Sequence, residues 1–266
     1  MHPTPRQVAA GTMEALRAIA RTPSEHPASG GYGTRMERLG LTTDECLSAA
    51  KDTVRRCGGL TAREIVAVAM ELVDTRVFDA RQVAYNVLRL HPGAGRSLRA
   101  ADIGVLGRGM DNWVSVDSFG CWVSGPAWRD GHIDDARVHR WARSPDRWWR
   151  RAALVSTIPL NLASKGGHGD TPRTIQVCDM LADDHDDMVE KALSWALREL
   201  AKRDPLAARR FLSVHLTEVA PRVRREVTNK LESGVKHPYG PQPGQRPSAR
   251  PRRPAPPRRP GPARPR

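Results

Sequence analysis

Lys191-Ala192-Leu193-Ser194-Trp195-Ala196-Leu197 decides the fold, because its pattern of a long polar side chain followed by small and apolar positions returns elsewhere in the chain. It recurs as Gln82-Val83-Ala84-Tyr85-Asn86-Val87-Leu88, as Arg151-Ala152-Ala153-Leu154-Val155 and, more weakly, as Arg224-Arg225-Glu226-Val227-Thr228-Asn229-Lys230-Leu231. The copies at 151, 191 and 224 begin about 33 to 40 residues apart, the length of one pair of helices and its turns. Small-apolar patterns also recur by chance in all-α proteins.

The surrounding segments are helical too. Val8, Met13, Leu16, Ile19 and Ala20 form an amphipathic stripe that should end near Thr22-Pro23. After a Gly-rich turn at 30–33, Thr42-Thr43-Asp44-Glu45 has the form of a capped start for a helix through Val54, stopped by Gly58-Gly59. Thr61-Ala62-Arg63-Glu64 repeats that spacing before Ile65, Val68, Ala69 and Leu72, and another helix is expected from about Ala80 to Leu90, before Pro92. Alternating strand patterns are almost absent. The expected fold is therefore all-α, a HEAT- or armadillo-like helical repeat solenoid, with one helix of each pair lining a concave face on which duplex DNA could lie.

Charge divides the 266 residues into two parts. The segment 235–266 holds nine Lys or Arg, no acid and 11 of the 22 prolines, which leaves 1–234 with 34 basic and 29 acidic residues. So polar a tail cannot repay its ordering entropy and is expected to be disordered, either a solubilising extension or a phosphate-seeking arm. The expected domains are thus a solenoid over 1–234 and a basic Pro/Arg-rich tail over 235–266. Cys46, Cys57, Cys121 and Cys178 form no CxxC motif and suggest no disulfide framework, and the nine histidines show no HExxH. Neither a metal nor another cofactor is expected. Asp183-Asp184-His185-Asp186-Asp187 has the form of a solvated helix start. No run of about 18 apolar residues and no signal-peptide core suggests a membrane, so a cytoplasmic, nucleoid-associated monomer is expected.

Six of the seven tryptophans fall between Trp113 and Trp149, where aromatic residues are only 5% of the chain. Trp113 and Asp117 stand four residues apart, so on a helix they share one face about 5–6 Å apart. Indole faces attract positive charge and a neighbouring carboxylate adds to the attraction, which suits a site for a flat or cationic ligand. Other readings stay open. Trp113 can be a core anchor, Asp117 a cap or ion-pair partner, Trp195 an inter-repeat packing residue, and Arg150 with Arg151 a solvated basic face.

Asn112-Trp113-Val114-Ser115-Val116-Asp117-Ser118, then Trp141-Ala142-Arg143-Ser144-Pro145-Asp146-Arg147-Trp148-Trp149-Arg150-Arg151-Ala152-Ala153, then Glu190 to Glu199 resemble, in order and approximate spacing, the AlkD-type DNA alkylation repair glycosylases. The resemblance covers roughly 30–232. It implies Trp113 and Trp195 as the two indoles of the site, Asp117 as the catalytic carboxylate and Arg151 as a backbone-phosphate or sugar-edge contact. Trp148 matches a packing position and Tyr32 a further DNA contact. Trp122, Trp128 and Trp149 depart from the family pattern. The resemblance also implies that the duplex lies on the concave face with the lesion stacked, unlike glycosylases that extrude the base.

The chemistry agrees on its own terms. A purine alkylated at ring nitrogen 3 or 7 is a cation that leaves as a neutral base, so the enzyme must chiefly steady the positive charge developing on deoxyribose and place a water. One carboxylate, Asp117, can do both. Arg143, Arg147 and Arg150 would then join Arg151 in holding flanking phosphates, and double-stranded DNA carrying alkylated purines is the expected partner. The competing functions are a non-catalytic HEAT-like protein that binds distorted DNA and a protein-binding scaffold.

Overall fold

Residues 2–22 and 33–238 are described by the computed structural model. Apart from one isolated backbone bridge, Glu37 to Val77, their regular structure is helical. The first half runs α1 (Pro5–Ala18), α2 (Thr43–Arg56), α3 (Ala62–Asp74), α4 (Phe78–Leu90), α5 (Pro92–Arg96), α6 (Ala100–Leu106) and α7 (Trp113–Phe119). The second runs α8 (Gly125–Arg129), α9 (Asp135–Ala142), α10 (Arg147–Ser156), α11 (Ile158–Asn161), α12 (Thr171–Asp179), α13 (Asp187–Leu200), α14 (Pro205–Val214) and α15 (Pro221–Ser233).

The related segments found in the sequence fall on α4, α10, α13 and α15, and these helices form one row. α4 packs on α7, α7 on α10, α10 on α13, and α13 on α15. Outside this row α9 packs on α10 and α12, while α12 packs on α13 and α14. The reason is visible in the side chains: Ala152, Ala153, Ala192 and Ala196 are fully buried and let neighbouring backbones approach, while Leu154, Val155, Leu193 and Leu197 fill the seam. The result is an all-α helical repeat solenoid.

Local signals set the helix starts. Thr42 Oγ1 accepts from Glu45 N at 3.2 Å while Thr42 N donates to Glu45 Oε2 at 2.7 Å, and Thr61 with Glu64 repeats the exchange. Asp146, Asp170, Asp186 and Asp204 cap later helices through their own carboxylates. The first helix is shorter than its stripe suggests. It ends at Ala18, and Ile19 is the cap residue, 47% exposed. A buried polar contact, Thr12 Oγ1 to Thr53 Oγ1 at 3.0 Å, takes part of the α1–α2 interface instead. The four cysteines are separate buried thiols.

α7 does not run straight into α8. A π-helical turn, Gly120–Ser124, joins them. Pro126 has no N–H, so the carbonyl of Trp122 lacks its α-helical donor, and Gly120 and Gly125 lie against Val155, Pro159 and the Ser156 carbonyl with no room for a Cβ. The wider turn keeps α7 pressed onto α10.

Candidate active site

Asn112 caps α7 by accepting from Ser115 N at 2.9 Å, which makes Trp113 its first residue and Asp117 the residue one turn on. α4 steadies this short helix: Ser118 Oγ donates to Gln82 Oε1 at 2.8 Å, and Tyr85 with Arg81 binds the Leu106 carbonyl in the turn that leads to it. From the other side Asp111 accepts from Thr34 Oγ1 at 2.6 Å and Arg35 N at 2.7 Å.

Asp117 is met by Arg151 of α10. Arg151 Nε donates to Oδ1 and Nη2 to Oδ2, each at 2.8 Å, in the paired geometry that a guanidinium and a carboxylate form best. The remaining Nη1 donates to the carbonyl of Met188, in the first turn of α13. One guanidinium therefore ties three helices of the inner row together at Asp117. The Arg151 side chain is 6% exposed and that of Asp117 18%, so the acid stays partly accessible while its clamp is buried. Burial pushes the Asp117 carboxyl above its ordinary range, and the charge and hydrogen bonds of Arg151 oppose that.

Trp195 stands two helical turns beyond Met188, on the same side of α13. α13, which carries Trp195, packs along α10, whose Arg151 reaches both Asp117 and the Met188 carbonyl. Trp113 and Trp195 are both half-buried.

The other expected contacts fare differently. Arg151 stands beside Asp117 as anticipated, but three of its N–H groups are committed within the protein, so it holds the acid in place where a backbone-phosphate or sugar-edge contact was expected. Arg150 binds Asp184 at 2.6 Å and the carbonyls of Ser144 and Pro145 at 3.0 Å, and Arg147 pairs with Asp186 at 3.4 Å across the ring of Trp148. The acidic run 183–187 supplies these partners, so it is more than a solvated helix start. Arg143 closes α9, exposed and without a carboxylate partner among the described residues. Tyr32 lies outside the described residues.

The tryptophan cluster divides. Trp128 is fully buried, with its Nε1 on Asp135 at 2.8 Å, and Trp141 stacks on Trp149 at 5.2 Å beside Phe119. These indoles are core, correcting the expectation that their concentration marks ligand binding. Trp122 is different: Arg89 and Lys165 both lie over its ring. No sequence signal joined those cations to it, since they come from helices and turns far apart in the chain.

The sequence signature of the family described as DNA alkylation repair enzyme matches residues 12–231. No curated protein matches the chain. A match that runs through every helix building the site makes this chain a member of the DNA alkylation repair enzyme family, with DNA as the partner on which it acts.

Proposed function

We propose that the protein is a monofunctional DNA glycosylase that hydrolyses the N-glycosidic bond of cationic 3-alkyl and 7-alkyl purines in duplex DNA. The observation that carries this reading is Asp117 itself, a carboxylate held in one orientation by a buried bidentate arginine and left partly accessible. A surface that only grips phosphates has no use for an acid at its centre.

In this reading the sugar of the damaged nucleotide rests against the accessible part of Asp117, between Trp113 and Trp195. As the bond lengthens, positive charge builds on the sugar and the neutral base departs. The carboxylate attracts that charge and orients the water that adds to it, whose proton it can accept. Opposite unit charges about 4 Å apart attract by roughly 4 kcal/mol at an effective dielectric near 20. Arg151 cancels part of that field, so its contribution is geometric: it fixes the acid before the reaction and keeps it ionised against burial. The indole faces reinforce the preference for a cationic adduct.

The test is base release from two duplexes, one carrying 7-methylguanine and one carrying uracil, followed by chromatography of the free base. The expected result is release of 7-methylguanine alone, because uracil is neutral and needs help to leave. Release of both bases, or of neither with tight DNA binding retained, overturns the assignment.

A further inference from the structure

Two cations share one indole beside the proposed site. Lys165 Nζ lies 3.1 Å from the ring centroid of Trp122 and Arg89 Cζ 4.3 Å from it, so the two charged groups are at most 7.4 Å apart. Among the described residues neither meets a carboxylate; Arg89 has only the side-chain oxygen of Asn86, at 3.3 Å. Most arginines around the site are neutralised by acids, as Arg150, Arg147 and Arg151 are. This pair is left to repel itself.

The arrangement is built, not a chance meeting of mobile chains. Arg89 comes from the last turn of α4, Trp122 from the π-helical turn and Lys165 from the short 3-10 turn Ala163–Lys165, and α4 packs on the π-helical turn directly. The Lys165 backbone is fixed by its N–H to the Leu162 carbonyl at 2.9 Å, and its own carbonyl accepts from Arg129. Gly166 follows with φ +80°, a backbone conformation that side chains rarely adopt. Half-burial and the nearby Arg89 both make the Lys165 ammonium harder to keep charged, a condition an anion would relieve.

We propose that Arg89, Trp122 and Lys165 form a clamp for one backbone phosphate of the damaged strand, next to the sugar at Asp117. The inference rests on the DNA-facing reading of the inner row given above. Trp122 follows Asp117 by five residues, roughly 7–8 Å along a helix, and phosphates on one strand recur about every 3.4 Å of duplex axis. The clamped phosphate therefore falls within about two nucleotides of the reacting sugar. The indole spaces the cations and orients them before DNA arrives, so little side-chain entropy is lost on binding.

The experiment uses a short duplex with a tetrahydrofuran abasic site and a single uncharged methylphosphonate placed in turn at each flanking position. For the wild-type chain one position within two nucleotides of the abasic site is expected to weaken binding about tenfold, and the same substitution should scarcely affect Arg89→Ala/Lys165→Ala. The double variant should also lose about 0.9 from the slope of log affinity against log salt for the phosphate released. Arg89→Lys/Lys165→Arg, which keeps both charges, should retain the wild-type slope and shows that the fold tolerates change there. An unchanged slope in the alanine variant, or equal sensitivity of both proteins at every position, overturns the clamp. Because the duplex has no base to excise, the clamp stands or fails whether or not the chain proves to be a glycosylase.

Discussion

At the residue scale two opposing influences set the ionisation of Asp117. Burial raises its pKa and Arg151 lowers it, and the proposed reaction needs the carboxylate. Activity should therefore fall as pH falls through a value above the ordinary aspartate range of about 4. Replacing Arg151 removes the opposing influence and leaves burial, so in Arg151→Met the acidic limb should move to higher pH, by about one unit or more. Single-turnover excision measured from pH 5 to 9 checks this, and a limb that stays in place argues that Arg151 acts elsewhere. The helical placement of Trp113 and Asp117 one turn apart, and of Trp195 on a repeated helix, was legible in the sequence because a four-residue spacing and a recurring helix motif are local signals. The duty of Arg150 was not, since it depends on Asp184, 34 residues away and pairing only once α10 and α13 meet.

At the scale of elements, the capped starts at Thr42 and Thr61 were legible because cap and partner lie three residues apart. The π-helical turn was not, because beside the local effect of Pro126 it depends on the contact of Gly120 and Gly125 with α10 and α11, which no local pattern reveals. That turn holds Asp117 in register with Arg151. A Cβ at Gly120 would come within 2.5 Å of Val155 Cγ1, one turn past Arg151 on α10. Gly120→Ala should cost about 1–3 kcal/mol of stability, the usual penalty of overpacking, and should reduce excision further by parting α7 from α10. Urea denaturation beside single-turnover rates measures both effects. Unchanged stability would mean that the turn is free to give way.

At the scale of the whole molecule, the repeat of small-apolar segments forecast the inner row, because burying a helix face against its neighbour demands those residue types wherever it happens. The boundary of the body shifts slightly. Lys236 pairs with Glu226 at 3.2 Å and its carbonyl accepts from Asn229, so the packed structure reaches past the expected limit at 234. Removal of residues 239–266, rather than 235–266, is the clean truncation. It should lower affinity for DNA at low salt and spare single-turnover excision at saturating enzyme; a truncated protein that binds but no longer excises would place part of the chemistry in the tail. The cation concentration in that segment acts at long range and is screened by salt, so its effect should fade as ionic strength rises.

The most direct test of the whole account is single-turnover release of 7-methylguanine from methylated duplex DNA by the wild-type chain and by Asp117→Asn, with DNA affinity measured in parallel. The amide keeps the shape of the side chain and removes its charge. The account predicts that excision falls by at least roughly a hundredfold, about 2.7 kcal/mol of transition-state stabilisation, while affinity is kept or raised. Equal rates in the two proteins would contradict it.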